Sequence, residues 1–511
     1  MESRVQLIEL TAALSLATDA GTGQPFEHAL RTCVLALHCA EAIGLAATER
    51  RGVLYTTLLR FLGCTSTASE SAELAGGDDI GFNAAMAPFV MADDRDAVPH
   101  LIRHLGADLP LRRRAGRVVA AMTDPGGKAR SLNAHCEVGA RLARRLGLPD
   151  EVIVGVAHAY ERWDGKGLPQ GLVGTDISTA TRIAAVARDV DLSFASGALP
   201  EVRRVLRRRR GRAYDPAVVD VFLADAARWL NELDQEDPWE TVVAAEPTPI
   251  ELHGDALDDA LTVFADFADL KSPWFVGHSR TVAELAEHAA TVLGAPVDPH
   301  LMRRAGLVHD LGVVGVPSGV WNRGAALTNE GRERVRTHSA IGERILSRGR
   351  GLETVAATAG AHHERLDGTG YHRGSREATL PQQIIAAADV YCALVEARPH
   401  RPAIDPDAAA RRLADEADAG RLSRDAVDAV LGAAGHAHAA RRVPNPAGLT
   451  ERELDVLRLL ARGGANKGMA AELGISTKTV GTHVEHIYAK VGVSTRAGAT
   501  VFAMENNLLR T

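Results

Sequence analysis

The chain contains an internal repeat, and this limits what it can fold into. His135 and the following Val138–Leu148 (VGARLARRLGL) line up with His338 and the stretch HSAIGERIL that it opens. Glu161–Pro169 (ERWDGKGLP) lines up with Glu364–His372 (ERLDGTGYH), and both pairs lie 203 residues apart. Upstream, Leu58–Gly63 (LLRFLG) matches Leu307–Gly312 (LVHDLG) at a separation of 249, so the first copy is 46 residues longer between these blocks. Two related domains therefore fill most of the 511 residues, and roughly 150 residues per domain leaves room for a third.

Apolar residues recur at helical spacing over Phe26–Leu45, Val118–Leu146 and Glu151–Tyr160, and no useful length alternates as a strand would. The expectation is an all-α protein. Residues 1–232 form the first domain, broken by loop-like patches at Thr65–Asp79 and Thr123–Gly127. Residues 233–250 (ELDQEDPWETVVAAEPTP follows Asn231) mix acid and proline and read as a linker. The second domain takes 251–440, a stiff proline-containing linker takes 441–448, and a C-terminal module takes 449–511. The basic run Arg203–Arg210 has two readings, a nucleic-acid surface or a solvated helix face paired with nearby acids.

The net charge of −7 gives no chain-wide signature of nucleic-acid binding, so any such function is local. Five cysteines without a C-x-x-C pair read as reduced, mostly buried thiols. No apolar run reaches the ~18 residues of a membrane span, and Met1–Arg4 opens no signal pattern. A cytoplasmic protein without membrane contact is expected.

The second copy holds the chemistry. His278 opens a helix, His309-Asp310 end an apolar helical run, His338 heads another helix, and His362-His363 end a fourth. Asp389 lies in the apolar run IIAAADVY, where an ionised carboxylate needs a partner. Each residue alone has an ordinary reading: a surface histidine, a helix-end pair, a turn at Asp367–Gly370. Together, imidazoles and carboxylates in this order point to iron, zinc, manganese or a related first-row metal. Two ions bridged by a carboxylate activate water and clamp a phosphodiester.

These blocks (HSR at His278, HDLGVVGVP at His309, the His338 helix, HHERLDGTGYH at His362 and AADVYCAL at Asp389) resemble the HD-GYP subgroup of the HD phosphohydrolase superfamily over roughly residues 255–435. The resemblance implies an all-helical, metal-binding domain, in many members a cyclic di-GMP hydrolase. It implies metal ligation by His309, Asp310, His338, His362, His363 and Asp389, with His278 a further candidate, a bridging Asp310, and catalytic roles for Asp310 and His309. Trp274 replaces an acidic residue that the family's first block can carry, which favours two divalent transition metal ions (Fe, Mn or Zn) over three. Val313 stands where a basic residue is usual, and the family tripeptide reads Gly370-Tyr371-His372. Arg398 and Arg401, in Arg398-Pro399-His400-Arg401, resemble the family's phosphate-contacting segment.

In the first copy Arg60 and Phe61 stand at the His-Asp position, and Ala159 and Tyr160 at the His-His position. His135 is retained, and Asp189 is the candidate for a surviving carboxylate. The expectation is a degenerate domain without metal, which senses, dimerises or supports.

The C-terminal module begins with the capping box Thr450-Glu451-Arg452-Glu453, followed by an apolar helix that Gly463-Gly464 ends. A short helix, a turn at Gly474 and a longer helix capped by Ser476 make a helix-turn-helix pattern, completed by a fourth helix from Thr495. Residues 449–511 hold eight Lys and Arg against six acids, a mildly basic balance. The whole stretch resembles the LuxR-type DNA-binding domain. By that resemblance Lys478, Thr479, Val480 and His483 face double-stranded DNA, Lys467 and Lys490 contact phosphate, and the module binds as part of a homodimer.

The fold class expected is thus all-α: two HD-type helical domains and a four-helix LuxR-type helix-turn-helix domain. The function expected is a transcriptional regulator with a metal-dependent phosphodiesterase or nucleotide-sensing domain. A phosphohydrolase with an accessory DNA-binding module, and a regulator with non-catalytic HD sensors of a nucleotide or phosphodiester ligand, are the alternatives.

Overall fold

The computed structural model describes residues 4–509 apart from 90–93, 107–108, 125, 295, 436–445 and 507. The expected linker 441–448 and the first three residues lie largely or wholly outside the described residues. The fold is all-α. The only sheet among the described residues is a two-stranded antiparallel pair, Val5–Gln6 against Glu251–Leu252. The chain forms two compact units, Arg4–Leu252 and His253–Thr511.

In the first unit the helices His28–Ala42, Ala47–Leu59, Gly127–Arg145 and Thr179–Arg209 surround a core that includes Leu30, Val34, Leu54, Val138 and Ile183, all buried. The last of these helices breaks at Gly197 and Ala198, just before Pro200, whose ring and missing N–H forbid a continuous ladder. The stretch expected as an interdomain linker is folded instead. Asp237 caps a helix over Pro238–Ala244, Trp239 and Val242 are buried, and the chain then enters the second strand. Proline at the first helical turn is favourable, and the burial of one large aromatic outweighs the polarity of the sequence around it.

Three arginines of the basic run of the same unit are paired locally. Arg204 pairs with Glu201, Arg210 with Asp220, and Arg209 turns inward to Asp189 and the hydroxyl of Tyr214. The solvated-face reading holds for the first two, and Arg209 joins the interior.

In the second unit Gly254–Asp269, His278–Leu293, Pro299–Val308, Asn329–Leu346 and Leu380–Val395 form the main helical layer. The turn Leu311–Gly315 lies directly on the helix Asn329–Leu346 at Gly312, where any Cβ would overlap the carbonyl oxygen of His338. Glycine is required there, and it sets His309-Asp310 beside His338. The first unit repeats this contact with Gly63 against the His135 carbonyl.

The C-terminal helices Glu451–Ala461, Asn466–Leu473, Thr477–Val491 and Arg496–Glu505 pack around Leu457, Leu460, Val480, Ile487 and Phe502. This small core also receives Val276, from the loop that leads into His278. Gly463 lies against the Pro273 ring and Gly277 against Leu509. Among the described residues no helix is long and apolar enough to cross a membrane.

Candidate metal centre and helix-turn-helix module

The seven expected ligands come from five separate segments and converge. His278 is the first residue of its helix, and His309 and Asp310 sit at the join between the helix Pro299–Val308 and the following turn. His338 lies within Asn329–Leu346, His362 and His363 follow the helix Glu353–Ala359, and Asp389 lies within Leu380–Val395. All are buried except His363, which is half-buried.

Three of the imidazoles are oriented in the same way. Nδ1 of His309 donates to the Gly306 carbonyl at 2.8 Å, that of His338 to Val335 at 2.5 Å, and that of His362 to Ala359 at 2.7 Å. A carbonyl can only accept, so Nδ1 carries the hydrogen and Nε2 presents its lone pair. His278 is held through Nδ1 by the Glu396 carboxylate at 2.9 Å. Such outer contacts fix the tautomer and raise the basicity of a metal-binding imidazole.

The Nε2 atoms then divide around Asp310. Its Oδ1 lies 3.3 Å from His338 Nε2 and 3.6 Å from His362 Nε2. Its Oδ2 lies 3.5 Å from His309 Nε2 and 3.8 Å from His278 Nε2. Asp389 Oδ1 stands with the second group, 3.2 Å from His278 and 3.9 Å from His309. The donor atoms of His278, His309 and Asp310 fall within 4.8 Å of one another, as do those of His338, His362 and His363. Nε2 of His309 is buried without a hydrogen-bond partner. An orphaned buried lone pair is costly unless a cation takes it, so these residues fit a metal.

The electrostatics agree for the two carboxylates and for His362 and His363. Burial would raise the carboxyl of Asp310, but the surrounding His309, His338 and His362 hold it well below the usual range. Burial acts likewise on Asp389, and His278, His363 and His309 outweigh it. Burial and the neighbouring His309 and His338 push His362 down to about 3, and burial with the same crowding lowers His363. Ionised carboxylates and neutral imidazoles are the forms that bind metal. His278 and His338 are raised, the first by Glu396 and Asp389 and the second by Asp310, in each case against burial.

Glu396 is the residue that sequence reasoning missed. Its only signal was an acid at the end of an otherwise apolar helix, two residues before Arg398. The two arginines of the expected phosphate segment are both bonded within the chain. Arg401 donates to the backbone carbonyls of Leu394, Glu396 and Pro402 through Nη1 and to that of Ala393 through Nη2, so it clasps its own loop. Arg398 lies at the centre's edge, bonded to the Trp274 carbonyl at 3.0 Å and to Glu396 at 3.1 Å, with its guanidinium over Phe275. Val313 is buried, and its carbonyl accepts from Trp321 Nε1 at 3.1 Å.

In the C-terminal module Ser476 Oγ accepts from the Thr479 amide at 3.0 Å and starts the longer helix. Lys467, Lys478 and Thr479 are exposed and His483 is half-buried. Val480 is fully buried in the module's core, which corrects its expected DNA contact: one residue past Thr479 the helix has turned about 100° toward the interior. Lys490 is exposed and tied to Glu453 at 2.6 Å and to the Gly448 carbonyl at 3.1 Å, so it also closes the module.

The first unit places other side chains at most of the corresponding positions. Arg60 occupies the His309 position and donates to the Ala159 carbonyl, at the His362 position, at 2.5 Å. The helices bearing Asp389 and Asp189 are capped by Thr379 and Ser178, 201 residues apart, so the counterpart of Asp389 is Arg188 and not Asp189. The surviving carboxylate expected there is thus one residue out of register, and Asp189 pairs with Arg188 and Arg209. His28 begins its helix as His278 does and bonds Asp191 through Nδ1 at 2.7 Å.

Comparison with known proteins matches this anatomy. A family model described as HD domain fits residues 126–218 and 262–425, and one described as bacterial regulatory proteins, luxR family, fits 447–503. The chain is 32% identical to the 3'3'-cGAMP-specific phosphodiesterase 3 of Vibrio cholerae over 414 residues, covering 79% of this chain and 89% of that protein. A solved structure of a cyclic GMP-AMP specific phosphodiesterase from V. cholerae superposes with a TM-score of 0.59 at 25% identity, covering 85% of this chain and 98% of that one. The C-terminal module is 48% identical over 61 residues to the transcriptional regulatory protein LiaR of Bacillus subtilis, or 12% of this chain and 29% of that protein. The chain belongs to the HD-domain family, in its HD-GYP branch, and joins two HD-type domains to a module of the luxR family of bacterial regulators.

Proposed function

We propose that this protein is a DNA-binding transcriptional regulator whose second HD domain is a two-metal phosphodiesterase for a cyclic dinucleotide. The observation that carries the reading is Asp310, whose two oxygens face different histidine groups. His309, His278 and Asp389, on the side of Asp310 Oδ2, would hold one ion, and His338, His362 and His363, on the side of Oδ1, would hold the other. Two such ions, when bound, act as Lewis acids on the phosphodiester and lower the pKa of water. The chain's own part is to orient: the Nδ1 hydrogen bonds fix the imidazoles, and Tyr371, its ring 4.5 Å from that of His363, shapes the rim. The relatives act on 3'3'-cGAMP and cyclic di-GMP, so these are the substrates to test first.

The regulator part rests on the luxR-family module and on the loop Ser272–Gly277. That loop packs on the module through Pro273, Val276 and Gly277, and it leads into the ligand His278. Occupancy of the centre thereby biases how the module sits, and through it a homodimer on DNA.

The test is hydrolysis of 3'3'-cGAMP and cyclic di-GMP by the metal-loaded protein beside Asp310→Ala, with metal analysis of both, and a gel shift on duplex DNA at low salt. Loss of turnover and metal in the variant, together with DNA binding, is the expected result. Equal inertness of both proteins with metal present makes the domain a receiver only, a reading that the buried Val313 and the occupied Arg401 favour. No duplex binding at low salt removes the regulator claim.

A further inference from the structure

The degenerate domain has replaced its metal centre with the opposite charge. Arg60 stands for His309, Phe61 for Asp310, Ala159 for His362, Tyr160 for His363 and Arg188 for Asp389, while His28 and His135 remain. A cluster that lacked cations has become one that holds two guanidinium groups. Both lie over the same ring, with the Arg60 and Arg188 carbons 5.4 Å and 5.2 Å from the centroid of Phe61.

These arginines are incompletely satisfied. Arg60 meets only carbonyls, those of Ala159 at 2.5 Å and Thr181 at 3.4 Å, and no carboxylate pairs with it among the described residues. Burial first, and then the neighbouring Arg188, push its pKa down to about 10. Arg188 bonds Asp189 at 2.7 Å and the Ala87 carbonyl at 2.5 Å, and the Nε atoms of both arginines are buried without a partner. Two like charges in a low-dielectric interior attract an anion.

The arginines open onto a cavity of about 490 Å³, within the range of small-molecule sites. Its lining is largely apolar, with Leu74, Phe82, Met86, Leu101 and Leu132, and it also holds charged side chains, Asp19, Asp124, Glu161, Asp189 and Lys128 among them; His135 and Tyr160 line it with the arginines. Nδ1 of His135 and the Tyr160 hydroxyl are 3.0 Å apart, and His135 Nε2 and the Thr67 hydroxyl are 2.5 Å apart, so this end is already ordered. A largely apolar cavity that holds two neighbouring guanidinium groups suits an anion with an apolar body.

We propose that the N-terminal domain is a receptor for an amphipathic organic anion. A carboxylate or phosphate head lies against Arg60 and Arg188, and an apolar body fills the space between Met86, Phe82 and Leu101. The domain binds without hydrolysing, since the ligand set for a metal is gone. This is independent of what the second domain hydrolyses.

The experiment is calorimetric titration of the full chain with decanoate, with decyl phosphate and with decanol. The wild type is expected to take up at least one of the two anions saturably, one per chain, and decanol at least about tenfold more weakly, the value of a charge-assisted bond. Arg60→Met and Arg188→Met each weaken the anion by a similar factor, and Arg60→Lys restores part of it. Because Arg60 also holds the Ala159 carbonyl, Met86→Trp is the second variant: it keeps both guanidiniums, fills cavity space beside Met86 and abolishes uptake. Preference between the two anions identifies the head group. No saturable uptake of either anion, equal affinity for decanol, or unchanged affinity in Met86→Trp overturns the proposal.

Discussion

The Glu396 carboxylate lies 2.9 Å from Nδ1 of His278, across a sequence separation of 118 residues. It makes His278, the loneliest histidine in the sequence, as firmly oriented as the three that bond backbone carbonyls. It also links the metal centre to the segment after Asp389, since Arg398 bonds the same Glu396 oxygen at 3.1 Å.

Loss of that charge should loosen the ion nearest His278. Glu396→Gln keeps a hydrogen-bond acceptor and should lower affinity for one metal equivalent about tenfold, with Glu396→Ala nearer a hundredfold, as for other outer carboxylates. Competition with a graded series of chelators measures this. Full retention of both equivalents would show that Glu396 has no hold on the centre.

Gly312 separates folding from chemistry. Gly312→Ala forces a methyl group into the His338 carbonyl, so the turn and the helix must part. The expected outcome is destabilisation of the order of 3 kcal/mol or more, with metal lost in step, because His338 and Asp310 no longer face each other. Denaturant melts followed by metal analysis check both.

On DNA, Lys478 and Val480 should behave oppositely although they are two residues apart. Lys478→Ala should weaken duplex binding and lower the salt slope by about 1 if the lysine meets phosphate, and leave stability unchanged. Val480→Ala should cost about 2 kcal/mol of module stability by opening a core cavity, with DNA affinity unaltered below the melting range. Gel shifts over a salt series and thermal melts separate the two.

Acid should open the C-terminal module through Glu453. Burial raises this carboxyl, but the Lys490 ammonium and the Thr450 amide and hydroxyl outweigh it and draw it down to about 2. A carboxyl depressed on folding stabilises fully above its unfolded value of about 4.3 and loses that contribution as pH falls toward 2. Hydrogen-exchange protection across Glu451–Val491 should therefore fall more steeply between pH 5 and 3 in the wild type than in Glu453→Gln, which starts lower. Parallel profiles would assign the acid sensitivity to another group.

The sequence by itself determined the helical class, the repeat, the seven residues that converge in the second copy and the start of each C-terminal helix. These depend on local signals: 3.6-residue periodicity, caps such as Thr450 and Ser476, and rare residue types in a fixed order. Tertiary structure alone decided which side chains face where. Val480 and Thr479 are neighbours in sequence but a turn of about 100° puts one in the core and the other in solvent. The same rotation makes Arg188, and not Asp189, the counterpart of Asp389. Arg401 was a charged residue in a phosphate-like motif until its loop folded back and its own carbonyls took up its Nη1 donors. The residues 233–250 looked like a linker because they are polar, but burial of Trp239 and Val242 is a property of what they pack against. Direction and packing are properties of the assembled chain, which is why the metal ligands could be listed from sequence and the anion-seeking cavity of the first domain could not.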